Sequence, residues 1–223
     1  MATRAELEKH LNNPNVQAFL AMIRDAEGTA KGKDPYRVYG GSATKQLDSL
    51  DKAEFPKWGF TQTDGKSNSS TATGAYQFLE RTWRDESKKL GLKDFSPLSQ
   101  DIAAVSLLAQ NGALAAILAG DFEKAIAKSN RTWASLPGSP YAQKTRSSDY
   151  VNASIQRHLG NLDGDDNVEE IMVVNSDPKT IPSVSKKLTS HAPTGIDKVA
   201  QTTNALNSLL TLGLKVWGLF RKR

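Results

Sequence analysis

The sequence predicts an α+β fold that is mainly helical, with a small β lobe inserted early and a linker and tail helix at the C-terminal end. Three observations carry this expectation. Val16, Phe19, Leu20 and Ile23 fall on one face at helical spacing. Residues 29 to 73 then change character: Gly, Ser, Thr, Asp and Lys dominate, and Tyr36-Arg37-Val38-Tyr39 runs into Gly40-Gly41. Helical stripes return after Gly74 and continue to residue 160.

Each element has its own signal. Thr3 and Glu6 have capping-box spacing, which predicts a short first helix. Asn13-Pro14 reads as N-cap and first residue of a second helix, which Gly28 ends. The segment from 29 to 73 predicts loops and an irregular hairpin lobe, because turn residues interrupt every apolar run. A helix is expected to open at Gly74, with Tyr76, Leu79, Trp83 and Leu90 roughly on one face and Gly91 as its stop. Ser96-Pro97 opens the next, striped by Ile102, Val105 and Leu108. Asp121 caps another, carrying Phe122 and Ile126. The last of this series runs near Asp149 to Leu159, with Tyr150, Val151 and Ile155 inward and Gly160 beyond its end.

Beyond residue 160 the pattern breaks. Residues 161–195 read as a linker: five acidic residues between Asp163 and Glu170 precede an apolar patch, Ile171 to Val174, and Pro178, Pro182 and Pro193 punctuate the rest. Residues 196–223 read as a tail helix. Ala205 to Phe220 is apolar, interrupted by Asn207, Ser208, Thr211 and Lys215, and closed by Arg221-Lys222-Arg223. A membrane span needs about 20 mostly apolar residues, which this run falls short of. An amphipathic helix at a membrane interface, anchored by Trp217, Phe220 and the basic cluster, and a helix packed on another subunit are equally compatible with it.

The 223 residues suffice for one domain and an appendage. A net charge of +5 fits an ordinary basic protein, or one attracted to an anionic polymer or membrane surface. No nucleic-acid-binding module is legible: there is no finger, aromatic-rich strand or long basic helix. The absence of cysteine excludes disulfides and thiolate chemistry. Met1 to Asn13 is charged and lacks an apolar stretch, so no cleaved secretory signal is expected. His10, His158 and His191 are scattered, and no Glu stands twelfth from Asp163 as a calcium loop requires, so neither a metal nor a cofactor is expected.

Two strings point to chemistry. In Ala26-Glu27-Gly28-Thr29, a carboxylate closes the apolar stripe of the second helix, four residues after Ile23. Burial and the negative end of the helix both favour its protonated form. A glycosidic oxygen leaves poorly until protonated, so an acid that keeps its proton near neutrality suits that bond. An early-fraying helix would instead leave Glu27 in water. In Gly74-Ala75-Tyr76-Gln77, Gly permits close backbone approach, Tyr offers a ring face and hydroxyl, and Gln offers a donor and an acceptor to an acetamido group. The same string also reads as an ordinary helix start with Tyr76 in the core.

Read as an ordered series, these strings are more specific. Glu27-Gly28-Thr29, Tyr36 to Gly41, Ser70 to Gln77, Leu90 to Pro97, Ser99-Gln100-Asp101 and Trp133 to Gly138 resemble the lambda-type phage lysozymes. These are lytic transglycosylases of the endolysin family with a lysozyme-like fold. The likeness spans about residues 16 to 145 of the chain. It implies a two-lobed domain, 1–160, with a cleft for the glycan strands of peptidoglycan, and Glu27 as the catalytic acid. Tyr36, Ser70, Thr71, Tyr76, Gln77, Trp133 and Tyr141 would line or shape the groove; Trp133 reads equally as core. The family pattern has an acidic residue where this chain has Arg37, so any catalytic help from that acid is lost or moved to Asp34, Asp48 or Asp51. The resemblance also implies a phage enzyme held in the virion or in the host cytoplasm before it reaches the periplasm. Residues 196–223 would supply any membrane or virion partner.

Overall fold

The computed structural model describes residues 2–162. The tail helix expected over 196–223, and the linker beyond residue 162, lie outside the described residues. Helix α1 (Arg4–His10) opens on the expected capping box: the Thr3 side chain takes the Glu6 N–H, and the Glu6 carboxylate takes the Thr3 N–H at 2.7 Å. Helix α2 (Pro14–Glu27) starts at Asn13, whose side chain accepts from the Asn15 and Val16 N–H groups. It ends at Gly28, in left-handed conformation with φ 78°. Val16, Phe19, Leu20, Met22 and Ile23 are all buried, so α2 is the axis of the core.

The small lobe follows as two hairpins. Strands β1 (Val38–Tyr39) and β2 (Ser42–Gln46) are antiparallel, with Tyr39 opposite Ser42. Gly40 and Gly41 both have positive φ, the geometry a tight two-residue hairpin turn requires. Strands β3 (Trp58–Thr61) and β4 (Ser67–Ser70) pair from Trp58–Ser70 to Thr61–Ser67.

The helix expected at Gly74 starts later. Residues 74–77 form a turn between Thr73 and Phe78, which bridge each other. Gly74 and Gln77 have φ of 82° and 50°, which no right-handed helix accommodates. Helix α3 (Glu80–Leu90) begins only after Leu79, which is 50% exposed rather than inward. Gly74 is required by packing: a Cβ there would meet Gln100 Oε1 at 2.3 Å and Phe95 Cζ at 2.7 Å.

Helices α4 (Pro97–Gln110), α5 (Leu114–Leu118), α6 (Phe122–Ser129) and α7 (Ser148–Leu162) complete the domain. Ser96 and Asp121 cap α4 and α6 as expected, while α5 had no sequence signal. Helix α7 passes through Gly160, and Tyr150 lies exposed while Val151 and Ile155 are buried. Asp25 fixes α7 to α2: its carboxylate accepts from the Ser154 hydroxyl at 2.6 Å and bonds His158 Nε2 at 2.9 Å, with Arg157 at 3.6 Å. Burial pushes the Asp25 carboxyl up, but the bonds from His158 and Ser154 and the nearby positive charge outweigh it and hold the group below its ordinary range.

Candidate active site

Glu27 is the last residue of α2, where Gly28 reverses the chain. The reversal places Thr29 inside, and its hydroxyl donates to the Ala75 carbonyl at 2.7 Å. The two strings singled out in the sequence are thereby joined: one tethers the turn that the other forms. Gln100 pins that turn from behind. Its Oε1 accepts from the Ala75 N–H at 2.8 Å, and its Nε2 donates to the carbonyls of Phe95 at 2.7 Å and Tyr36 at 3.0 Å.

The Glu27 carboxyl opens onto a cavity of about 430 Å³. Its walls come from the β3–β4 hairpin (Trp58, Phe60, Ser70), the residues around its turn (Gln62, Thr63), Gln77 and the segment 142–144. A backbone bond, Thr63 N–H to the Ala142 carbonyl at 3.2 Å, joins hairpin to segment. Trp58 and Phe60 pack against each other with ring centroids 5.2 Å apart, and Trp58 lies over Gly40, where a Cβ would sit 3.3 Å from its ring. Aromatic faces beside uncharged amides and hydroxyls suit a sugar polymer, whose C–H faces stack and whose hydroxyls bond.

Burial pushes the Glu27 carboxyl up to about 7, although a hydrogen bond from Ser135 and the charge of Arg146 pull it down. The Ser135 hydroxyl donates to Glu27 Oε1 at 2.7 Å, and Arg146 Nε donates to the neighbouring Ala26 carbonyl at 3.0 Å. With Oε1 engaged, Oε2 is the oxygen available to carry a proton. Among the described residues, Glu27 is the single carboxyl on the cavity wall. Asp34, Asp48 and Asp51 do not line it. Asp34 pairs with Arg37 at 3.1 Å, and Arg37 also donates to the Leu47 and Asp48 carbonyls, so both residues brace the small lobe. Among the described residues, no three acidic or imidazole groups gather as a metal site would require.

The other expected groove residues divide. Ser70 and Gln77 stand on the cavity wall. The Gln77 amide is committed to the protein itself: Nε2 donates to the Gly74 carbonyl at 2.9 Å and the Val38 carbonyl at 3.3 Å, and Oε1 accepts from the Gly41 N–H. Tyr76 does not face the groove. Its ring is 1% exposed, and its hydroxyl donates to Asp101 at 2.5 Å while accepting from Arg24 at 2.9 Å. Tyr36 also turns its hydroxyl to Asp101, at 3.0 Å. Burial and the Asp101 charge hold both phenols protonated, Tyr36 pushed up to about 12 and Tyr76 well above its ordinary range. Trp133 is core: it is 3% exposed, and its indole N–H donates to the Tyr76 carbonyl at 3.1 Å. Thr71 accepts from the Glu80 N–H at the start of α3. Tyr141 is half exposed off the cavity, its hydroxyl on the Arg131 carbonyl. Tyr36, Tyr76 and Trp133 shape the cleft from behind, because buried hydroxyls and indole N–H groups need partners that the core provides, while Thr71 and Tyr141 lie beside it.

Sequence reasoning missed Trp58, Phe60, Gln62, Ser135, Lys144 and Arg146. Trp58-Gly59-Phe60, an aromatic alternation of strand type, carried a local signal, and Ser135 lies inside the string Trp133 to Gly138 without being singled out there. Ser135 and Arg146 reach the acid from more than a hundred residues away.

A helical domain with a two-hairpin lobe and one buried acid at a saccharide-sized cleft defines a lysozyme-like protein. Residues 17–162 match the endolysin family model. The endolysin of Escherichia phage lambda is 36% identical over 153 residues, covering 68% of this chain and 95% of that protein. The endolysin of Escherichia phage P2 is 38% identical over 144 residues, covering 60% and 86%. Among solved structures, bacteriophage lambda lysozyme complexed with a chitohexasaccharide superposes with a TM-score of 0.58 at 35% identity, covering 66% of this chain and 94% of that one. The chain belongs to the endolysin family, the peptidoglycan-degrading phage lysozymes of the lambda type.

Proposed function

We propose that the chain cleaves the glycan strands of peptidoglycan by non-hydrolytic transglycosylation between N-acetylmuramic acid and N-acetylglucosamine. The observation that carries this reading is the solitary carboxyl: among the described residues Glu27 alone lines the cavity as an acid, and burial keeps it protonated to about pH 7. Hydrolysis by the common two-carboxylate schemes needs a second acid as nucleophile or base. One carboxyl suffices if the sugar supplies its own nucleophile. Glu27 protonates the glycosidic oxygen as the bond from C1 of the muramic residue breaks. The resulting carboxylate takes the proton of the muramic 6-hydroxyl as O6 bonds to C1. A 1,6-anhydro ring closes, no water is consumed, and Glu27 ends protonated as it began. The lambda lysozyme complex with a chitohexasaccharide supports a glycan in the cleft.

Mass spectrometry of digested cell wall tests the chemistry. Anhydro-muropeptides are expected; reducing ends that have gained water would make the protein a hydrolytic muramidase. Protein that binds wall and releases nothing would be a structural virion component.

The enzyme reaches the wall through holes in the inner membrane at lysis or as part of a virion at infection. The apolar, basic-ended stretch at 196–223 favours the virion, because an apolar segment hinders free diffusion and suits anchorage. Residues 1–160 form the catalytic domain, 161–195 the linker and 196–223 the anchor in this scheme. Peptides of this chain in purified particles are the expected observation.

A further inference from the structure

We propose that Lys144 is a specificity-determining residue that pairs with a carboxylate carried by the muramic side of the substrate. The inference deepens the reading of the cleft as a peptidoglycan site and rests on it. Lys144 lies on the wall of the cavity that Glu27 opens onto. Its segment is built into that wall. The Ala142 carbonyl holds the Thr63 N–H, the Gln143 N–H bonds the Tyr141 carbonyl at 2.8 Å, and Tyr141 is tied to Arg131.

Among the described residues its charge has no internal use. Lys144 pairs with no carboxylate among the described residues, whereas Arg37 is held by Asp34 and Arg146 is engaged by the Ala26 carbonyl and the Tyr150 ring. It is Arg146, not Lys144, whose charge acts on Glu27. The remaining wall is neutral: Gln62, Gln77, Gln143, Thr61, Thr63 and Ser70 with the aromatic pair. While Glu27 holds its proton, the described residues therefore leave the cleft with one uncompensated positive charge. A neutral chitin-type sugar offers it hydrogen-bond acceptors but no counter-charge. A peptidoglycan strand offers one, because each muramic residue bears a lactyl group that ends in a peptide stem with free carboxylates, or in its own carboxylate once the stem is removed. An ammonium on a mobile stem at the cleft edge suits such a group, whose position varies with the stem.

The test uses the full chain and soluble, peptide-bearing glycan strands. Lys144→Gln should raise KM about three- to five-fold with kcat little changed, the size of a solvent-facing ion pair. Lys144→Arg should restore the wild-type KM. Amidating the strand carboxylates should raise the wild-type KM to that of Lys144→Gln and leave the variant indifferent. On peptide-bearing strands the lactyl carboxyl is an amide, so an effect there belongs to the stem carboxylates; on strands stripped of stems by an amidase the effect should disappear, unless the lactyl carboxylate that the cut frees takes their place, in which case it persists. An unchanged KM for Lys144→Gln on native strands, or equal sensitivity of both proteins to amidation, overturns the proposal while leaving cleavage intact. Failure of the wild-type protein to cut any strand overturns both the proposal and the reading beneath it.

Discussion

Glu27 owes its character to position. The same side chain one turn from solvent would titrate near 4.5; at the buried end of α2 it titrates near 7, a difference of roughly 3 kcal/mol between its two forms. Glu27→Gln should lower muropeptide release by about three orders of magnitude while fold and glycan binding persist, measured by circular dichroism and wall pull-down. Near-native activity would remove Glu27 from the mechanism. The same variant has a thermal signature. A carboxyl whose pKa is raised on folding favours the native state below its unfolded value, and that advantage is lost as pH rises from about 4.5 to about 7. Glu27→Gln should therefore gain melting temperature relative to wild type at pH 8 and lose that gain by pH 4. Ser135→Ala removes a donor that favours the charged form. The alkaline limb of its pH–activity profile should move to higher pH, and an unmoved limb would make Ser135 a purely structural neighbour.

Between residues and domain, the turn at 74–77 is the decisive element. It holds Gln77 on the cavity wall, offers Ala75 to Thr29, and tucks Tyr76 into the Asp101 network. Gly74→Ala should destabilise the protein by more than about 2 kcal/mol, seen as a fall in the urea midpoint, because a Cβ meets Gln100 and Phe95 in a backbone conformation only Gly adopts easily. Wild-type stability would show that the turn can shift. Helix starts marked by Thr3, Asn13, Ser96 and Asp121 were readable because capping is local. The turn was not: Tyr76, Leu79, Trp83 and Leu90 satisfy helical spacing on paper, and the contacts to Gln100 and Thr29 that override it come from distant elements.

For the domain as a unit, α7 is the clasp. It packs on α2 through Asp25, beside the catalytic candidate, and continues to Leu162. The endolysin match also ends at residue 162. A chain cut after Leu162 should keep the melting temperature and wall-cleaving activity of the full-length protein. Loss of folding on truncation would place later residues in the core. Among the described residues, no helix is long and apolar enough to cross a membrane.

Local patterning was enough to establish most of the helices and the caps at Thr3, Asn13, Ser96 and Asp121, the hairpin lobe and the acid at the end of α2, because spacing, capping and turn chemistry act over a few residues; α5 and the late start of α3 were not legible that way. The ordered motifs also announced the family, though several of them build the cleft's frame without touching its space. Which side chains face that space was a matter of long-range packing. Tyr76 and Trp133 turn inward because their polar atoms find partners in the core, and Trp58, Ser135 and Lys144 reach the cleft because the hairpin and the segments at 135 and 142–144 converge on the end of α2. Contacts between residues so far apart in the chain leave no periodic trace in the order of amino acids.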